Sequence, residues 1–189
     1  MAVTPQDVAS AMAIFGRVLM QVDDEHLELE TPCTDWNVEA LISHVVLGDV
    51  ATAMIFEGQS LDGMSMIDTS ILGPNPVATW RGTALKAITA LQEPGAMERV
   101  VQHITGPQPG SMVAGFRLVD VLGHASDLAQ AIGVDAEITD ELADSALEFL
   151  LPMVEQMKGS PHFAAPLLPS ENASPEERFL ALLGREAPT

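Results

Sequence analysis

Apolar side chains recur along the chain at helical spacing, and the breaks between the runs carry caps and turn formers. Val8, Met12, Phe15, Leu19 and Val22 fall three and four residues apart, the period of one helix face. Thr4 suits the cap of this run, Pro5 its first position and Asp7 its positive end. Acidic residues at 23–25 are expected to close it near His26. Asn37 then caps a second helix expected over 38–57, with Leu41, His44, Val45, Gly48, Thr52 and Ile55 on one side. Gly58 to Asn75 is long for a connection in a compact domain. It reads as a lid over a site or, the simpler expectation, a loose crossover.

Asn75 and Pro76 open a third helix carrying Trp80, Ala84, Ala87, Ile88 and Leu91, which Pro94 and Gly95 stop. Met97 to Thr105 is rich in β-formers and residues 106–110 are a turn cluster, which together predict a short extended segment and not a sheet. Ser111 is expected to cap a fourth helix that ends at Gly133. Thr139 caps a fifth, kinked or shortened by Pro152, and residues 159–172 read as irregular. Ser174, Pro175 and Glu177 have the signature of a capping box before a short last helix with Phe179, Leu180 and Leu183. The order predicts an all-α fold over a single domain, 1–189. Its expected form is an antiparallel four-helix bundle with an extra C-terminal helix and a short extended segment.

Charge narrows the partners. The chain has 27 Asp+Glu against 8 Lys+Arg, a formal net charge of -19. With no cationic cluster to offset it, that balance sets aside nucleic acid and anionic membrane. The single cysteine, Cys33, excludes an internal disulfide and agrees with a reducing compartment. No basic, apolar leader stands at the start, and no uncharged apolar run approaches the ~20 residues that span a bilayer. A cytoplasmic location is expected.

Candidate chemistry sits on the fourth helix, where Phe116, Asp120, His124, Leu128 and Ala131 fall along one stripe. A carboxylate and an imidazole one turn apart, in line with core residues, either bind something together or are costly to bury. Of the five histidines, His26, His103 and His162 fall in connections and default to surface. His44 and His124 lie on apolar helix faces, and Asp120 is the carboxylate in line with them. Together the three are a ligand set of the kind that holds Zn²⁺ or a similar ion and leaves a position open, the pattern of a catalytic site. The alternatives are a core histidine at 44 and Asp120 bonded to its own His124. Asp127, one turn on, is placed either to orient His124 through its other ring nitrogen or to edge the helix face. Cys33 has no basic partner close in sequence and reads first as a small buried residue, with nucleophile or fourth ligand as the alternatives. Nucleophile-elbow, phosphate-loop and dinucleotide motifs are absent.

Three motifs in order carry a family resemblance. The run from Thr31 through Pro32, Cys33, Trp36 and Val38 to His44 resembles a segment of the DinB-like bundle proteins. More narrowly, it is similar to the metal-binding domain of the mycothiol-dependent maleylpyruvate isomerase group. Asp120, His124, Asp127, Leu128, Ala129 and Gly133 resemble that group's metal helix, and Ala173 to Arg185 resembles the ending of its single-domain members. The resemblance implies a DinB-like bundle with a divalent metal, zinc by expectation, held by His44, Asp120 and His124. It further implies mycothiol or a related small-molecule thiol as cosubstrate, in a transferase or isomerase. Relatives often carry Gly-Trp where Ala125 and Ser126 stand here, and the full isomerase has a further C-terminal domain for which this chain has no room. A non-catalytic metal- or ligand-binding bundle is therefore the alternative function. A homodimer is compatible with the apolar composition.

Overall fold

A computed structural model describes residues 2–157 and 165–186 of the chain, which are mostly helical with one small two-stranded sheet. His162 and part of the irregular 159–172 stretch lie outside the described residues. Helix α1 spans Pro5–Leu19, α2 Val38–Phe56 and α3 Pro76–Leu91. The hairpin strands β1 (Val100–His103) and β2 (Gly106–Pro109) follow, then α4 (Gly110–Ile132) and α5 (Asp140–Leu150). A 3₁₀ turn at Leu151–Met153 leads to the short α6 (Val154–Met157), and α7 spans Pro175–Leu182.

The caps act largely as the side chains dictate. Thr4 and Asp7 close a reciprocal box on α1, with Asp7 N–H bonded to Thr4 Oγ1 at 3.2 Å and Thr4 N–H to Asp7 Oδ2 at 2.8 Å. Asn37 Oδ1 accepts from Ala40 N–H at 2.9 Å, and Ser174 and Glu177 box α7. Helix α5 gives way at Leu151–Met153 to a 3₁₀ turn containing Pro152, which lacks the N–H to continue the α-helical ladder.

Four expectations are corrected. Helix α1 ends at Leu19 and does not run to His26, because Asp23 Oδ1 accepts from the N–H groups of Glu25 and His26 and so favours a turn. Residues 97–110 do contain a sheet: Val100 pairs with Pro109 and His103 with Gly106 in an antiparallel hairpin. Pro107 and Pro109 are tolerated because β2 is an edge strand. Ser111 is not the cap of α4, which starts straight out of β2; Gly110 N–H bonds to Arg99 O and Ser111 N–H to Met97 O, at 2.8 and 2.9 Å. The 58–75 connection is not loose throughout, since a 3₁₀ turn at Thr69–Leu72 buries Leu72 to 2% exposure against α2 and α3. Thr139 stands at the start of α5 without a side-chain cap bond.

Packing forms a ring of four helices. Helix α1 packs on α4 and α3, and α2 packs on α3 and α4. The sequence neighbours α1 and α2 therefore stand diagonally, as do α3 and α4. This places the middle of α2 directly against the middle of α4. One apolar cluster joins all four with α5 and α7; Phe15, Leu41, Leu118, Leu122 and Phe179 are each fully buried in it. Helix α2 meets the length and hydropathy of a membrane span, yet 67% of that window is buried within the fold. It is a core helix of the fold.

Gly16 on α1 gives way to Trp80 on α3: a Cβ at Gly16 would lie 2.1 Å from Trp80 Cη2. The ring is itself buried against Phe15, with centroids 6.2 Å apart. Gly16→Ala should therefore destabilise the protein by about 1–3 kcal/mol, despite the better helix propensity of alanine. Urea denaturation reads this, and an unchanged or raised midpoint would contradict the packing.

Candidate metal centre

Helix α2 supplies His44, and α4 supplies Asp120 and His124 one turn apart. The contact between the two helices brings their donor atoms within 4.8 Å of one another. His44 Nε2 lies 3.2 Å and His124 Nε2 3.4 Å from the same oxygen, Asp120 Oδ1. Both imidazoles are buried, while the Asp120 side chain keeps 32% of its surface exposed. Solvent thus reaches the cluster past the carboxylate. Trp36, in the loop before α2, lies against both rings, with centroids 4.6 Å from His44 and 5.5 Å from His124.

Each ring is oriented through its other nitrogen. His44 Nδ1 is 3.1 Å from the carbonyl oxygen of Met66, in the 58–75 connection. A carbonyl can only accept, so Nδ1 carries the hydrogen. His124 Nδ1 is 3.0 Å from Asp127 Oδ2 and is fixed in the same way. Asp127 therefore takes the orienting place open to it, and Met66 supplies the counterpart for His44. With Nδ1 protonated on both rings, both Nε2 lone pairs face one carboxylate oxygen. That arrangement repels unless protons or a cation stand between.

The second oxygen of Asp120 is bonded by Arg117 Nη1. Arg117 is buried, and its Nε and Nη2 donate to Asp49 Oδ1 at 3.1 and 2.7 Å, while Nη2 also reaches Val45 O at 2.6 Å. Gly48 makes room for it, since a Cβ there would lie 2.2 Å from Nη1. Asp49 has no exposed side-chain surface, and burial raises its carboxyl against the pull of Arg117. Three of these groups, Asp49, Arg117 and Met66, were not picked out in the sequence. For the first two a signal exists, because each is a charge inside an otherwise apolar helical run. A backbone carbonyl leaves none.

Cys33 is half-buried. Its thiol donates to Asp127 Oδ2 at 3.2 Å, and its Sγ lies 3.5 Å from Arg185 Nη2, a basic partner 152 residues away in the chain. Cys33 thus has no basic partner close in sequence but gains one through the fold. His26 pairs with Asp23, and His103 stacks on Phe116 at 5.3 Å. Neither approaches the cluster. Ala125 and Ser126 are both buried.

Burial alone would raise Asp120, but the charge of His44 and the hydrogen bonds from both histidines hold its carboxyl well below the usual range. Burial alone would lower His124, and the bonds to Asp120, Asp127 and Cys33 instead raise it well above an ordinary imidazole. Asp127 is also strongly depressed, with His124 and Arg185 overcoming its burial. The raised His124 contributes stability below about pH 6.5 that is lost as pH climbs through its folded value. The depressed carboxylates contribute stability above about pH 4 that is lost as pH falls. Chelator-treated protein should therefore melt highest between those limits. Calorimetry across pH reads this, and a melting temperature still rising above pH 7 would contradict it.

Comparison with known proteins gives the chain's relatives. The family described as the mycothiol maleylpyruvate isomerase N-terminal domain matches residues 8–70, which include His44 and Met66. Two uncharacterized proteins of Mycobacterium tuberculosis, one from strain ATCC 25618 / H37Rv and one from strain CDC 1551 / Oshkosh, are each 31% identical over 182 residues. Each alignment covers 93% of this chain and 93% of the relative. No solved structure matches. Over residues 8–70 the chain belongs to the mycothiol maleylpyruvate isomerase N-terminal domain family.

Proposed function

We propose that the chain is a DinB-like, single-domain helical bundle that holds one divalent metal ion, zinc by its donor set. His44 Nε2, His124 Nε2 and Asp120 Oδ1 are the ligands. The metal serves a transferase or isomerase reaction of a small thiol, mycothiol by family. The observation that carries the reading is the pair of Nε2 lone pairs turned on one carboxylate oxygen while both Nδ1 atoms are engaged elsewhere. One dication replaces two protons there without changing the net charge.

A divalent ion at this position supplies positive charge that favours a thiolate over a thiol at neutral pH. The chain's own residues do the rest. Asp127 and Met66 O fix the imidazoles, and Arg117 holds the far oxygen of Asp120 so that Oδ1 faces the rings. Trp36 shields them from water on one side. A thiol approaches past Asp120, the exposed member. The absence of a cationic surface cluster supports a small neutral partner over nucleic acid or an anionic membrane, and the single free thiol supports the cytoplasm.

Metal analysis of protein purified without a histidine tag tests this. About one ion per chain is expected, and His44→Ala should lose it. Content well below that, unchanged by added zinc, would overturn the reading. Metal-loaded protein should also accelerate transfer of the thiol to an electrophile. Stoichiometric metal with no such turnover would favour the non-catalytic bundle instead.

A further inference from the structure

A second group of potential ligands, Cys33, His124 and Asp127, also brings its donor atoms within 4.8 Å. It already has its cation. Asp127 has 1% of its side chain exposed, and Arg185 grips both of its oxygens, Nε to Oδ1 at 2.8 Å and Nη2 to Oδ2 at 2.7 Å. The same Oδ2 faces His124 Nδ1 at 3.0 Å. A planar two-point grip of this kind fixes a carboxylate in direction as well as in charge.

Arg185 is held in its turn by the core. Its backbone N–H bonds to Leu180 O at 2.9 Å and its Nη1 to Leu183 O at 3.3 Å. Phe179 and Leu180 on α7 are fully buried, and α7 packs on α5. The chain end is thus a strap. It leaves the core at α7 and lands on the carboxylate that orients His124.

We infer that Arg185 is a positioning residue of the metal centre, through which the C-terminal tail sets metal affinity by clamping Asp127. The inference rests on the metal reading above. Without Arg185, Asp127 is a buried charge that has lost the guanidinium holding both of its oxygens. Released from the two-point grip, it relieves that cost by turning toward water, which costs His124 its acceptor. The ring is then free to adopt the tautomer with hydrogen on Nε2, which points a proton where the metal needs a lone pair. Residue 185 lies far outside the part of the chain matched by the family, 8–70.

Competition of the protein with a chromophoric chelator for Zn²⁺ tests this on wild type, Arg185→Ala, Arg185→Lys, Asp127→Asn and the double change Asp127→Asn with Arg185→Ala. Arg185→Ala should weaken binding about 10–100-fold, the usual effect of losing an outer support. Lysine should restore part of it. The double variant should bind no more weakly than Asp127→Asn alone, because both changes act through one carboxylate. Melting of the metal-free variants is measured in parallel. A purely structural Arg185 would lower that melting temperature yet leave Zn²⁺ affinity, measured well below it, at the wild-type value, and that result overturns the inference alone. Fully additive losses in the double variant overturn it as well. Wild-type protein that takes up no Zn²⁺ overturns the metal reading and this inference together.

Discussion

Asp120 divides its two oxygens between opposite demands. Oδ1 faces two imidazole nitrogens, and Oδ2 is bonded by a guanidinium that is itself buried. An unpaired charge in such a position would cost several kcal/mol, so every neighbour must be matched to it. Asp49 matches Arg117, Met66 O and Asp127 match the histidines, and Arg185 matches Asp127. The polar groups form a chain of compensations from the middle of α2 to the end of the described tail. Breaking any link leaves a charge inside the fold.

The helix ring makes that chain possible. In a ring that followed chain order, α1-α2-α3-α4, His44 would stand diagonally from α4. The diagonal placement of α1 and α2 instead sets α2 against α4 and lets the 58–75 connection return over the ring nitrogen of His44. Leu72 anchors this connection in the core a short way beyond Met66. The carbonyl of Met66 thereby meets His44 although the residue itself is 54% exposed. A long connection has a structural task here because its backbone, not its side chains, meets the site.

Legibility in the sequence followed the range of each interaction. Helix faces and most caps depend on neighbours within four residues, and His44, Asp120 and His124 were visible as polar residues on apolar faces for that reason. The end of α1 was misread because a side chain at Asp23 competes locally with the helix, a contest that periodicity does not register. The hairpin was masked by Pro107 and Pro109, which signal turns but are tolerated on an edge strand. Arg117 with Asp49 and Arg185 with Asp127 join residues 68 and 58 positions apart. Pattern shows that such charges are out of place, and only the fold shows which one answers which.

The distribution of cations carries the last step. The chain has 8 Lys+Arg against 27 Asp+Glu, and both Arg117 and Arg185 are spent on carboxylates at the centre of the molecule. Set apart with Asp49, Asp120 and Asp127, they leave 24 Asp+Glu against 6 Lys+Arg over the rest of the chain, which is therefore still strongly acidic. Such a field attracts divalent cations and repels anions over a Debye length of about 8–10 Å. A small thiol of the kind proposed would therefore approach more readily as the neutral thiol than as the thiolate. Under the proposed function, its proton is lost only inside the site, where a dication favours the anion. On that proposal the acidic surface would repel anionic competitors, and the metal centre would hold the dication that favours the reactive anion.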